Sequence, residues 1–170
     1  MSGFDLKLKI DGIRGGDRID LTADAAARDQ IAERLGLPGL DRLEAHAVLE
    51  RDGEEIRAKG RLRASLQQAC VITGDPIAAR IDEPFELLFR SEPDVAPDEE
   101  IELSPDDCDV VFHDGAAIDL GAAIADTLAL AIDPYPRSAG ADAALKEAGI
   151  LSEAEAGPFA ALAKLKRDLP

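Results

Sequence analysis

The chain has 170 residues, of which 46% are hydrophobic and 32% are charged. This length and composition fit one folded domain with its own core, and they exclude both wholesale disorder and two ordinary domains. No apolar run approaches the roughly 20 residues of a membrane span, the amino-terminal segment does not have the pattern of a signal peptide, and two cysteines do not form a disulfide framework. We therefore expect an acidic cytoplasmic protein.

The net charge of −16 comes from 35 acidic residues against 19 Lys and Arg. The segment 91–136 holds 13 of these acids and no Lys or Arg. Such a field repels phosphate backbones and favours basic partners, although solubility alone explains it equally well. The charge excludes a simple basic nucleic-acid-binding protein but allows a local basic face.

The amino-terminal part predicts a strand and a helix. Apolar and charged residues alternate from Phe4 to Ile10, which is typical of a half-buried strand. After a glycine-rich turn, Ile19 and Leu21 begin a second apolar alternation. An alanine-rich helix is predicted over 23–35, with Thr22 as its N-cap and Gly36 at its end.

A β-hairpin follows. We predict a two-residue type I′ turn at Asp52-Gly53. The apolar residues then face each other on one side of the hairpin, and the pairs are Leu43 with Leu62, Ala45 with Gly60, Ala47 with Ala58, and Leu49 with Ile56. The other side is mostly charged, and it includes one like-charge pair near the turn, Glu50 opposite Glu55.

The remaining pattern is more varied. Two further strands are predicted at 77–81 and 85–89, with an edge or a bend at Pro84 between them. We interpret the acidic, proline-containing segment 91–109 as a mobile loop, followed by a short apolar run at 110–112. Apolar residues at helical spacing predict a helix over 119–132.

Together these elements predict an α+β fold in which two main helices cover a mainly antiparallel sheet of hairpins. Whether the sheet closes into a barrel is left open. Residues 1–136 are expected to form a single domain. The alanine-rich tail 137–170 is expected to be either a docked helix or a flexible arm, with Pro158 at the start of a short amphipathic segment.

The chemistry-bearing residues do not assemble into a recognisable catalytic or metal motif. The two histidines, His46 and His113, are predicted on the polar face of the hairpin and at the head of a turn. Cys70 and Cys108 are not in a Cys-x-x-Cys pair, so we expect no metal site and no cofactor. Cys70 is expected to be a buried apolar residue at a strand end. We therefore expect a protein that is not an enzyme.

One feature could contact nucleic acid. The basic residues Arg57, Lys59, Arg61 and Arg63 alternate, so a strand places all four on one face. This basic stripe could bind RNA phosphates. The alternative is a solvated face that Glu44 partly neutralises.

Several segments, taken in order, resemble one family. They are 70–77 with Cys70 and Pro76, 81–89, 118–121 with Asp119 and Leu120, 131–137 with Pro134 and Pro136, and 158–162 with Pro158 and Phe159. In this order and spacing the chain resembles the YceD family, the large ribosomal RNA subunit accumulation proteins, from about Leu62 onward. Many members carry Cys-x-x-Cys where this chain has 70–73 as Cys-Val-Ile-Thr, which puts a metal or redox role in doubt here.

The resemblance implies a cytoplasmic bacterial factor needed for accumulation of 23S ribosomal RNA, through its synthesis, processing or stability, without an established enzymatic step. Two routes are open: RNA contact through the basic stripe, or binding of a basic ribosomal protein or assembly factor. We favour the second route because charge complementarity needs no special geometry. The expected contacts are the acids Glu99, Glu100, Glu102, Asp106, Asp107 and Asp109.

Two alternatives remain from the residues themselves. Asp106, Asp107 and Asp109 could hold Mg²⁺ in an enzyme that acts on RNA or nucleotides, because magnesium sites need few protein carboxylates. The chain could also be an acidic protein-binding module that is unrelated to ribosomes.

Overall fold

The structure is a computed structural model that describes residues 4, 6–92 and 110–150. This part of the chain contains seven strands and three α-helices, which confirms the predicted α+β class. The strands are β1 Lys7–Lys9, β2 Asp17–Thr22, β3 Gly39–Asp52, β4 Glu55–Ala69, β5 Pro76–Ser91, β6 Val110–His113 and β7 Ala117–Asp119. The helices are α1 Ala25–Leu35, α2 Leu120–Ala131 and α3 Ala141–Glu147, and one turn of 3₁₀ helix spans Ile10–Gly12.

The strands form two sheets. Five strands lie in the order β2-β3-β4-β5-β6, and β1 pairs with β7 in a separate two-stranded sheet. Strand β3 is antiparallel to β2 and β4, whereas the short β6 runs parallel to β5. Among the described strands β2 and β6 are the two ends of the larger sheet, so this sheet is open and not a barrel.

The residues divide into two compact units. Among the described residues, one unit comprises those up to 68 together with those of 78–133, and the other comprises 69–77 together with 134–150. The first unit contains the core. Most of its buried residues come from the inward faces of β3, β4 and β5 and from helices α1 and α2. The predicted domain boundary at 136 stays a prediction.

The central hairpin is confirmed, but its register differs from the predicted one. Asp52 pairs with Glu55, so the two turn residues are Gly53 and Glu54 rather than Asp52 and Gly53. Gly53 has φ +63°, and Glu54 has no positive φ, a combination that type II′ turns use.

The change moves every predicted pair by two residues, so each side chain keeps its face. Leu43 now pairs with Ala64, and Leu49 pairs with Ala58. Glu50 lies opposite Arg57 instead of Glu55. The shift therefore replaces a repulsive cross-strand pair with an attractive one.

Helix α1 begins two residues later than predicted. Its N-cap is Asp24, whose carboxylate accepts a hydrogen bond from the Ala27 backbone N–H at 2.8 Å. Thr22 instead belongs to β2, where it pairs with Glu44. The carboxylate satisfies one of the free N–H groups of the first turn, and Gly36 ends the helix at φ +64°, as predicted.

The two strands predicted at 77–81 and 85–89 form the single strand β5. The division into two strands was therefore wrong, but the predicted edge at Pro84 is confirmed. Strand β6 pairs only with 88–91 of β5, so Pro84 lies where β5 has one neighbouring strand among the described residues. Proline is tolerated there because its missing N–H is not needed on the unpaired side.

Helix α2 covers the core with the predicted face. Leu120, Ile124 and Leu128 are fully buried, and Asp119 is the N-cap, accepting a hydrogen bond from the Ala122 N–H at 2.9 Å. None of the helices in the described part of the chain is long and apolar enough to cross a membrane.

Candidate functional site

The basic stripe predicted on β4 exists, and its four side chains are partly exposed. The strand alternates charged and buried residues, with Ile56, Ala58 and Leu62 pointing into the core. This alternation places Arg57, Lys59, Arg61 and Arg63 on the opposite face, where their side chains are 43–61% exposed. The sequence prediction of a basic stripe on one face is therefore confirmed in its geometry, while contact with RNA stays a prediction.

Carboxylates of the neighbouring strand β5 pair with every residue of the stripe. Glu86 lies 3.6 Å from Arg57 and 3.4 Å from Lys59. Asp82 hydrogen-bonds Arg61 and lies 3.4 Å from Arg63. From Arg57 to Arg63 the residue numbers on β4 rise, while those of the partners on β5 fall from Glu86 to Asp82. This opposite order is the one expected of antiparallel strands.

These contacts shift the ionisation of the groups involved. The hydrogen bond from Arg61 holds the pKa of Asp82 below its ordinary value, with a smaller contribution from the charge of Arg63. The same bond raises the pKa of Arg61. Both partners therefore stay charged at neutral pH, and the pair persists as an ion pair.

Strand β3 supplies further acids on the other side of the stripe. Glu44 is the cross-strand neighbour of Arg63, and Glu50 is that of Arg57. The pKa of Glu44 is lowered, mainly by a hydrogen bond from Arg42. Carboxylates thus flank the stripe on both neighbouring strands, so this face of the sheet is close to charge balance.

The second unit contains Cys70 in a compact turn. The Cys70 N–H donates to the Asp75 carbonyl at 2.8 Å, and the Gly74 N–H donates to the Cys70 carbonyl at 2.9 Å. The Val71 N–H donates to the carbonyl of Pro136 at 2.9 Å. Two of the segments that carried the sequence resemblance, around Cys70 and around Pro136, are therefore in direct contact.

The Cys70 thiol is buried, as expected, but its surroundings are polar. Its Sγ accepts hydrogen bonds from the backbone N–H groups of Ser138 at 3.3 Å and Thr73 at 3.5 Å. Hydrogen bonding, chiefly with the side chain of Ser138, lowers the pKa of Cys70 to about 6. The turn therefore stabilises a thiolate, which a purely apolar environment would disfavour.

The two histidines have different surroundings. His46 is exposed on the polar face of the hairpin, as predicted, but its cross-strand neighbour is Arg61 rather than the predicted Lys59. His113 is the last residue of β6, directly before the bend at Gly115, as predicted, and it is buried. Its Nδ1 accepts a hydrogen bond from the Gly115 N–H at 3.0 Å, and its Nε2 has no partner among the described residues.

Several predicted site residues cannot be placed. The acids Glu99, Glu100, Glu102, Asp106, Asp107 and Asp109 and the motif residues Pro158 and Phe159 lie outside the described residues. Within the described residues no group of three His, Cys, Asp or Glu side chains is arranged to hold a metal ion.

Sequence reasoning missed an exposed apolar pair on β6 and α2. Phe112 is 54% exposed and Leu130 is 86% exposed. A signal for Leu130 was present, because it lies off the helical face that contains Leu120, Ile124 and Leu128. No comparable signal marked Phe112 within its short apolar strand.

The fold and these sites define a small α+β protein with a charge-balanced sheet face and a buried thiol in a polar turn. A family model described as "Large ribosomal RNA subunit accumulation protein YceD" matches residues 58–166, which is more than half of the chain. The chain therefore belongs to the YceD family, as the sequence resemblance indicated. No curated protein and no solved structure matched it.

Proposed function

We propose that this chain is a non-enzymatic cytoplasmic factor that supports accumulation of 23S ribosomal RNA by binding a basic ribosomal protein or assembly factor. Family membership supports the link to large-subunit ribosomal RNA. The observation that carries the choice of a protein partner is the pairing of the whole basic stripe with Asp82 and Glu86.

An RNA backbone would compete with these carboxylates. A phosphate that approached Arg61 or Lys59 would come close to Asp82 or Glu86, and two unit charges about 4 Å apart interact by about 1 kcal/mol even in water. The chain as a whole carries a net charge of −16, which adds long-range repulsion. A basic protein is attracted instead of repelled, because its positive charges interact favourably with the excess acidic residues of 91–136.

An affinity pulldown from lysate at physiological salt, with and without RNase, tests this proposal. We expect ribosomal proteins or assembly factors to remain bound after RNase treatment. The proposal is wrong if large-subunit RNA and its proteins are recovered without RNase and both are lost with it. It is also wrong if neither is enriched.

Two charge variants sharpen the result. Neutralising the acids Glu99, Glu100, Glu102, Asp106, Asp107 and Asp109 to Gln or Asn is expected to remove the partner. Neutralising the stripe by the four substitutions Arg57→Gln, Lys59→Gln, Arg61→Gln and Arg63→Gln is expected to leave recovery unchanged. The opposite pattern would make the stripe the binding site.

A third variant tests the role of the β5 carboxylates. Asp82→Asn with Glu86→Gln frees the four cations without changing their number. We expect this variant to gain affinity for RNA and to show a steeper salt dependence than the unmodified chain. Equal RNA binding by both would show that the ion pairs do not mask the stripe.

A further inference from the structure

A groove runs between helix α2 and the strands β5 and β6 in the first unit. It consists of two adjoining cavities of about 270 Å³ and about 400 Å³. Val111, Ala123 and Asp126 line both cavities, so the two form one continuous depression, called here the α2–β6 groove. The groove does not include the basic stripe or the Cys70 turn.

The groove follows from the sequence of the elements around it. Helix α2 turns Leu120, Ile124 and Leu128 into the core, and its first turns present the small side chains of Ala122 and Ala123 to the groove. Strand β6 has four residues, and among the described strands it pairs only with the end of β5. Space therefore remains between the helix and the sheet.

The two most exposed large apolar side chains of the first unit's described residues line this groove. Leu130 stands on the α2 side and Phe112 on the β6 side. Pro84, Phe85 and Leu87 form part of its floor and wall. Exposed apolar patches of this kind, when polar residues surround them, are typical of protein interaction sites.

The charged residues of the groove are mainly acidic. Asp126 pairs with Arg34 at 3.0 Å and Glu86 pairs with Arg57 and Lys59 of β4, whereas the carboxylates of Asp114 and Asp119 accept hydrogen bonds from backbone N–H groups. Lys7 is the one basic residue among those that line the two cavities. The chain also enters β6 directly from 93–109, which contains eight acids and no Lys or Arg.

A buried polar atom adds an independent indication. His113 lines the groove and is 8% exposed, yet its Nε2 has no hydrogen-bond partner among the described residues. Because Nδ1 accepts the Gly115 N–H, the neutral ring carries its proton on Nε2. Buried donors without an acceptor are rare in folded proteins. An acceptor supplied by a bound partner would complete this site.

We propose that the α2–β6 groove is the docking surface for a basic amphipathic segment of the protein partner, with apolar side chains held between Phe112 and Leu130 and Lys or Arg side chains facing Asp114 and Asp119. This inference rests on the proposed function for the existence of a basic partner. An RNA strand does not fit this groove, because the same acids would repel its phosphates. A second copy of the chain would place these acids opposite further acids, and the like charges would repel.

The test uses the full-length chain and two synthetic peptides of equal length and charge. One peptide alternates Leu and Lys at helical spacing, and the other replaces every Leu with Ser. In ¹H–¹⁵N spectra we expect the Leu/Lys peptide to shift the amides of Phe112, Ala122 and Leu130, and to bind at least tenfold more tightly than the Ser/Lys peptide.

Substitutions locate the binding. Leu130→Lys and Phe112→Lys are each expected to weaken binding of the Leu/Lys peptide about tenfold, as truncation of a central interface side chain commonly does. Both residues are exposed, so neither change should unfold the chain. Val71→Lys alters another half-exposed apolar residue that lines neither cavity, and it is expected to leave binding unchanged.

Several outcomes overturn the inference. The inference is wrong if the two peptides bind with equal affinity or if the amide shifts are confined to residues outside the groove. It is also wrong if the chain self-associates and Leu130→Lys abolishes that self-association, or if residues 93–109 contact Leu130 in the free protein. If the groove fails while ribosomal proteins still survive RNase in the pulldown, the proposed function stands. If the groove binds the peptide while the pulldown fails, the docking surface stands without its ribosomal partner.

Discussion

Gly121 offers a sharp test, because intrinsic helix propensity and packing predict opposite signs for the same substitution. Gly121 lies in the first turn of α2, where replacing glycine by alanine favours a helix by at most about 1 kcal/mol. In the structure, however, the added Cβ would lie 1.7 Å from the backbone oxygen of Phe4 and 3.1 Å from the backbone nitrogen of Leu6. We therefore expect Gly121→Ala to destabilise the protein.

The magnitude follows from the movement that the substitution requires. Carbon–oxygen contacts normally begin near 3.3 Å, so the Phe4 backbone would have to withdraw by roughly 1.6 Å. That movement strains the hydrogen bond from the Leu120 N–H to the Leu6 carbonyl and pulls on the buried ring of Phe4. Overpacking costs about 1–3 kcal/mol and a lost hydrogen bond about 1 kcal/mol. After the helix gain is subtracted, the net loss is about 2 kcal/mol.

Urea denaturation followed by far-ultraviolet circular dichroism measures this loss. Gly12→Ala is the matched control, because no atom lies within 4 Å of its added Cβ and its φ is not positive. The control should stay within about 0.5 kcal/mol of the unmodified chain. A Gly121→Ala chain with an unfolding free energy equal to or above that of the unmodified chain would refute the packing argument.

Three further outcomes are expected. The ultraviolet absorbance of the Cys70 thiolate, taken as the difference between the unmodified chain and Cys70→Ala, should titrate with a midpoint near pH 6, and a midpoint near 9 would contradict this. Because folding lowers the pKa of Cys70, the thiolate's contribution to the free energy of unfolding is complete above the unfolded pKa, ordinarily 9.0, and is lost as the pH falls through about 6. Asp24→Ala should lower the unfolding free energy by about 1 kcal/mol through loss of the α1 cap, whereas the exposed Asp29→Ala should not. A double-mutant cycle on Arg61 and Asp82 should give a coupling close to the error of the measurement, because both side chains are about half exposed and water screens the pair. A strong coupling would mean that the pair is not screened.

The alternation of apolar residues was sufficient to predict the central hairpin and its faces, but not its register. Shifts of two residues preserve the faces, so burial cannot distinguish the predicted pairing from the observed one. The choice depends on the turn residues and on a few cross-strand charges. Glu50 opposite Arg57 rather than Glu55 is the kind of small energy difference that decides it.

The candidate site was predictable only in part, for a similar reason. A strand period alone places Arg57, Lys59, Arg61 and Arg63 on one face. Their pairing with Asp82 and Glu86 depends on the register between β4 and β5, which no local sequence signal specifies. The α2–β6 groove depends on contacts between elements far apart in sequence. Only the off-face position of Leu130 hinted at it.

The distribution of charge connects the fold to the choice of partner. Outside 91–136 the chain has 22 acids and 19 bases, so the excess negative charge is concentrated in that one segment. On the sheet face, acids and bases neutralise each other at contact distance, and little field remains there to attract a phosphate chain. The segment that holds the excess acid supplies β6, β7 and α2, whose residues line the α2–β6 groove. The field of this segment would therefore attract a basic partner to the surface where Phe112 and Leu130 are available for apolar contacts. One region then provides both the long-range attraction and the short-range affinity.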